Sequence, residues 1–211
     1  MIGVCGCMSE KKQNTPEMMK DLALDYLNSN YKDTFQAEGY AGSNWAYNYA
    51  TVTFLSMKYE GVVEVRIFEE AGNYVFQDDY FKLYMEKDAE QFFTQLISKH
   101  YKNVEIKVDF SEASLPENLQ RNADFRDYVN TEQCSIRLYI ITNDSISEEI
   151  KVMVLQEIAE LKIKGIFKFL VTNNENLFDS YTWDEVINHH TSEIIEQTNY
   201  SINKEFEIKN N

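Results

Sequence analysis

The groups in this 211-residue chain that could move protons, hold a metal or attack an electrophile are three histidines, three cysteines and 35 carboxylates. His189 and His190 are adjacent, so a helix would point them about 100° apart rather than side by side as a zinc helix requires. His100 stands at the expected end of a helix, where a cation suits the backbone dipole. Cys5 and Cys7 lack the second cysteine pair or neighbouring histidine that would complete a metal or redox site. Cys134 has no histidine near it in sequence, and a buried structural thiol is the simpler expectation. Asp78, Asp79, Asp184 and Glu185 fall where helices are expected to begin, which accounts for them without catalysis. Zinc-helix, nucleophile-elbow, phosphate-loop and calcium-loop spacings are all missing. The expectation is a non-enzyme with no metal and no cofactor.

Binding chemistry is better represented. Tyr40, Trp45, Tyr47 and Tyr49 crowd one segment that also contains Gly39 and Gly42. The last three lie two residues apart and would share one face of a strand. Such amphipathic rings either roof a core or form an exposed surface for a sugar, a peptide or a partner protein. The candidate binding surface is therefore Tyr40, Trp45, Tyr47 and Tyr49, its ligand an unknown protein or small molecule.

The formal net charge of −15, with a pI near 4.6, narrows the partners. A chain this acidic repels nucleic acids and anionic headgroups, so neither is expected to be held by charge. It suits a basic partner, and a second reading of the chain is a cytosolic inhibitor or immunity-type protein that blocks a basic toxin or nuclease. No run of about 18 apolar residues offers a membrane-spanning helix.

At the start, Val4-Cys5-Gly6-Cys7 gives way abruptly to the polar stretch Ser9-Glu10-Lys11-Lys12-Gln13-Asn14. Val4, Gly6 and Cys7 resemble the lipobox of bacterial lipoproteins of the Gram-positive type, with Cys5 an atypical residue between them. The charged and most of the apolar part of such a signal are missing ahead of Cys7, which places the expected start upstream and Met1 inside the apolar region. The resemblance implies that Cys7 is acylated, with the body on the extracytoplasmic face of the cell membrane and touching it only through that anchor; the alternative address is cytoplasmic.

The elements that must carry these residues read as an α+β fold. Residues 1–14 form the signal remnant and tether. Residues 15–110 form an α+β subdomain, 111–133 a connector, and 134–211 a βαβ-containing subdomain that could be continuous with the first. Thr15 and Pro16 open a first helix. Thr51 to Tyr59 and Val62 to Glu69 pair through Glu60-Gly61, and Ala71-Gly72-Asn73 turns into a third strand. Asp78 and Asp79 are expected to cap a long helix striped by Phe81, Met85, Ala89, Phe92, Phe93, Leu96 and Ile97, packed on the strands around it. Val104 to Phe110 is a strand. Ser135 to Thr142, a helix capped at Ser145 and ended by Gly165, and Ile166 to Val171 make the βαβ unit. Thr182 and Glu185 are expected to open a helix reaching Ile194, and residues 202–208 to close the chain as an edge strand.

Overall fold

Alternation of apolar and polar side chains builds two sheets, and the helices follow from which faces those sheets must cover. The computed structural model describes residues 14–111, 114–132, 134–174, 177, 185–186 and 192–210. The fold is α+β, and its described residues divide into two units, one ending at Asp78 and the other beginning at Asp79.

The first unit starts with α1 (Pro16–Asn30), where Thr15 accepts from the Met18 amide and Pro16 occupies the first turn. An antiparallel meander follows: β1 (Phe35–Ala41), β2 (Tyr49–Ser56), β3 (Gly61–Glu70) and β4 (Asn73–Asp78), paired in that order. Val52, Phe54, Val63, Val65 and Ile67 fill its buried face, and α1 lies against β1, β2 and β3 with Met19, Ala23 and Leu27 inward. Ala71 and Gly72 both take positive φ between β3 and β4, as a two-residue hairpin turn demands. At the β2–β3 turn it is Glu60, not Gly61, that takes the left-handed conformation.

Asp78 does not cap a helix. It ends β4, is buried, and accepts hydrogen bonds from the hydroxyls of Tyr26 (2.6 Å) and Tyr31 (2.8 Å), tying α1 to the sheet. The long helix α2 (Phe81–Ile97) begins after Tyr80 with no side-chain cap, and Asp79 instead pairs with Lys82 at 3.5 Å.

In the second unit β5 (Val104–Phe110), β6 (Ile136–Thr142), β7 (Gly165–Thr172), β8 (Ile194–Ile202) and β9 (Ile208–Asn210) form a mixed sheet in sequence order, with only β6 and β7 parallel. α4 (Glu148–Glu160) joins that parallel pair, giving the expected βαβ arrangement. Its cap is Ser147, whose side chain accepts from the Ile150 amide, rather than Ser145. The helix ends at Glu160, Lys162 beyond its cap takes left-handed geometry, and Gly165 starts β7 instead of closing α4.

α2 packs on β5 and on the short α3 (Phe125–Val129). Phe81, Phe93, Phe110, Phe125 and Tyr128 stack edge-on or tilted at centroid separations of 5.4–6.2 Å. Residues within 111–133 thus feed the core, and the division of the chain falls at Asp78–Asp79, so residues 15–110 contribute to both units. The other face of β6 and β7 is also apolar, where Tyr139, Ile141 and Leu170 meet Leu177 and Val186. Ile194 opens β8 rather than ending a helix. The expected cap at Thr182 and the residues Trp183, Ile187, His189 and His190 lie outside the described residues.

Tyr101 and Tyr200 are both buried beneath this sheet and its helices. Burial pushes both phenols far above the ordinary tyrosine range, and for Tyr200 the hydrogen bond it donates to Glu148, with that carboxylate's charge, adds to the effect. The folded-state values lie above the unfolded value of about 10. Their stabilisation is therefore complete below pH about 10 and is lost as pH rises from there toward the folded values. An alkaline titration followed by phenolate absorbance and circular dichroism is expected to show exposed tyrosines ionising first, then a late step coincident with unfolding. Complete ionisation with the circular dichroism unchanged would contradict this.

Candidate functional site

The aromatic segment lies on the β1–β2 connection, and its shape is set by Asn44. The Asn44 side-chain oxygen accepts from the Ala46 amide at 2.8 Å and the Tyr47 amide at 3.1 Å, while the Asn44 backbone N–H donates to the Tyr47 carbonyl at 2.9 Å. Asparagine side chains close turns in this way. The turn holds Trp45 at the tip, where the side chain is 99% exposed. Tyr47 is 55% exposed and leans on Tyr49 at 5.5 Å between ring centroids.

Tyr49 opens β2 on the sheet face opposite Val52 and Phe54. Its cross-strand partner is Phe68 of β3, whose partner in turn is Val75 of β4. Three neighbouring strands thus place Tyr49, Phe68 and Val75 in one row, with the first two rings 5.1 Å apart. Arg66 lies over the Tyr49 ring at 5.3 Å and is held there by Glu64 at 2.7 Å. A guanidinium over a ring face contributes on the order of 0.5–1 kcal/mol at such an exposed position.

Tyr40 is not part of this row. The β1 register shifts between Ala37 and Gly39, and Tyr40 comes opposite Val52, on the α1 side of the sheet. Its hydroxyl rests near Gly42. The bulge turns one residue of alternation over, and a bulge leaves no signature in the alternation itself. Tyr47 and Tyr49 touch, with Trp45 exposed on the same connection, and Phe68, Arg66 and Val75 lie beside Tyr49 on the neighbouring strands. They join through register, which depends on the turns at 57–60 and 71–72. Cys7 lies outside the described residues.

Elsewhere among the described residues, polar side chains tie neighbouring elements together. His100 Nε2 sits 2.8 Å from Glu157 Oε1, linking the end of α2 to α4. Cys134 is buried behind Thr131, whose hydroxyl accepts from the Cys134 amide. Burial raises the Tyr139 phenol, and burial together with Arg137 lowers Lys168, whose ammonium lies 5.1 Å over the Tyr139 ring. An open groove of about 250 Å³ between α2 and α3 is lined by Asp88, Phe92, Asp124, Phe125 and Arg126, with Arg126 lying over Phe92. Among the described residues no three His, Cys, Asp or Glu side chains converge to hold a metal, and no helix is long and apolar enough to cross a membrane. In comparison with known proteins, the chain matches no family model, no curated sequence and no solved structure.

Proposed function

We propose that this chain is a non-enzymatic surface protein, anchored by acyl chains at Cys7, that makes its contacts through the aromatic edge of its first sheet. The observation that carries the reading is Trp45, a large amphipathic side chain left 99% exposed by a turn that its own hydrogen bonds keep ordered. An indole in water contributes nothing to the core, and Trp is among the residues most enriched at contact hot spots. The anchor rests on the resemblance of Val4-Cys5-Gly6-Cys7 to a lipobox.

The test has two arms. Cells expressing the full-length gene and fed labelled fatty acid are expected to label the chain, with label lost in Cys7→Ser. In the purified protein, Trp45→Ala with Tyr47→Ala is expected to change stability by no more than about 0.5 kcal/mol per site, the usual range for surface substitutions. A melting temperature lower by many degrees would make these rings part of the core and remove the contact surface. The net charge of −15 favours the second reading, an acidic inhibitor of a basic protein. A salt-sensitive complex with a cationic partner, formed by unacylated chain, would decide for it.

A further inference from the structure

The point where the tether enters the first unit is fixed by side chains. Asn14 donates from its side-chain amide to Glu69 at 3.3 Å and accepts from the Tyr74 hydroxyl at 2.6 Å. Glu69 and Tyr74 face each other across β3 and β4, next to the Ala71-Gly72 turn. Tyr49 pairs with Phe68, the neighbour of Glu69, so the 42–48 loop hangs from this same end of the sheet. Tether entry and aromatic tip therefore share one edge of the unit.

Cys7 lies seven residue steps before Asn14. Fully extended, such a length spans at most roughly 25 Å. We infer that the partner of the Trp45–Tyr47–Tyr49 edge is the lipid surface itself: a diacyl group at Cys7 holds this edge within reach of the bilayer, and the rings enter the headgroup region. The inference rests on the anchoring proposed above and gives its aromatic surface an occupant. Trp and Tyr are the residues that favour this layer, where an apolar body and a polar tip are both satisfied. Glu69 and Glu70 are exposed beside the tip, so the contact is apolar and owes nothing to anionic headgroups. Two attachments, one covalent and one aromatic, orient the body on the membrane where one alone would not.

The experiment separates this from the anchoring itself by supplying the anchor chemically. In a Cys5→Ser chain the accessible thiol is Cys7, because Cys134 is buried. Coupled to a maleimide lipid in phosphatidylcholine vesicles, Trp45 is expected to shift its emission to the blue, lose quenching by aqueous acrylamide and gain quenching by bromine-substituted acyl chains. Trp45→Phe, which leaves Trp183 as the remaining tryptophan, removes that signal. Moving the lipid to Lys58→Cys in a chain that also carries Cys7→Ser, at the opposite end of the sheet, leaves Trp45 in water. The inference is overturned if tethered Trp45 stays open to acrylamide and untouched by bromine, since its partner would then be soluble. Equal quenching from both tether positions would overturn the part assigned to the Asn14 end. Neither result bears on whether cells acylate Cys7.

Discussion

Gly165→Ala is expected to unfold the second unit or leave it barely stable, a loss above about 4 kcal/mol and so in the extreme tail of single substitutions. Gly165 has φ of +152°, a region that side chains rarely occupy. A Cβ there would stand 2.0 Å from the carbonyl oxygen of Ile136, 2.9 Å from its carbonyl carbon and 3.0 Å from its nitrogen. Those atoms are backbone, and they belong to the first residue pair of the parallel β6–β7 ladder. The obstruction cannot rotate aside; it yields only if the two central strands part where α4 returns to the sheet. Gly72 makes the useful contrast. Its φ is +83°, yet nothing lies within 4 Å of a Cβ there, so Gly72→Ala is expected to cost only about 1–2 kcal/mol of left-handed strain. Gly39 is intermediate, since the obstacle at 2.6 Å is the Thr53 hydroxyl, which can turn away. Urea unfolding of the three variants checks the order. A midpoint for Gly165→Ala no lower than that for Gly72→Ala would show that the β6–β7 junction is softer than its geometry implies.

That junction also shows where reading the sequence stops. Periodicity reports which side of an element is apolar, and on that level the chain is transparent: the alternation of Val63, Val65 and Ile67, and of Ile106, Val108 and Phe110, yields strands with those residues buried. It does not report which element meets that side. The stripe of α2 invites packing on the strands that precede it, but α1 already covers the inner face of the first sheet. The helix instead contributes Phe81 and Phe93 to the cluster around Phe110 and Phe125. Local signals that compete are equally ambiguous. Ser145 and Ser147 are both plausible caps, and the observed one is settled by where Ile150 and Val154 must point rather than by the serines. At the aromatic edge the types of Trp45, Tyr47 and Tyr49 are informative, whereas their neighbours Phe68 and Val75 are defined only once two turns have fixed the register. Tyr40 is lost from the group for the same reason, one bulge earlier in the chain.

The other large effect is expected at Glu196, and it should vanish when Lys151 is changed as well. Lys151 of α4 is only 3% exposed, and its ammonium lies 2.7 Å from Glu196 Oε1, 2.8 Å from Thr198 Oγ1 and 3.9 Å from Glu148 Oε2. The partners differ sharply in their access to water. The Lys151 side chain is 4% accessible, whereas Glu196 is 49% and Glu148 60%. Removing the lysine leaves carboxylates that water can reach. Removing Glu196 leaves a cation buried against β8 with only a hydroxyl and a distant carboxylate. Breaking a buried pair from the wrong side costs about 3–5 kcal/mol. Because Thr198 and Glu148 remain, Glu196→Ala should fall near the lower end, about 3 kcal/mol. Lys151→Met keeps the apolar stem and removes the stranded charge, so it should lie within about 1 kcal/mol of the parent, since a buried pair is often replaced by apolar groups without loss. In the Lys151→Met background Glu196→Ala should cost almost nothing, giving a coupling energy of about 2–3 kcal/mol, near the top of what contacting residues show. Denaturant titration of the four chains measures it directly. Additive costs would mean that water reaches the ammonium when Glu196 is gone, and that the position of α4 on β8 is held by Val154, Leu155 and Ile158 without help from the charge.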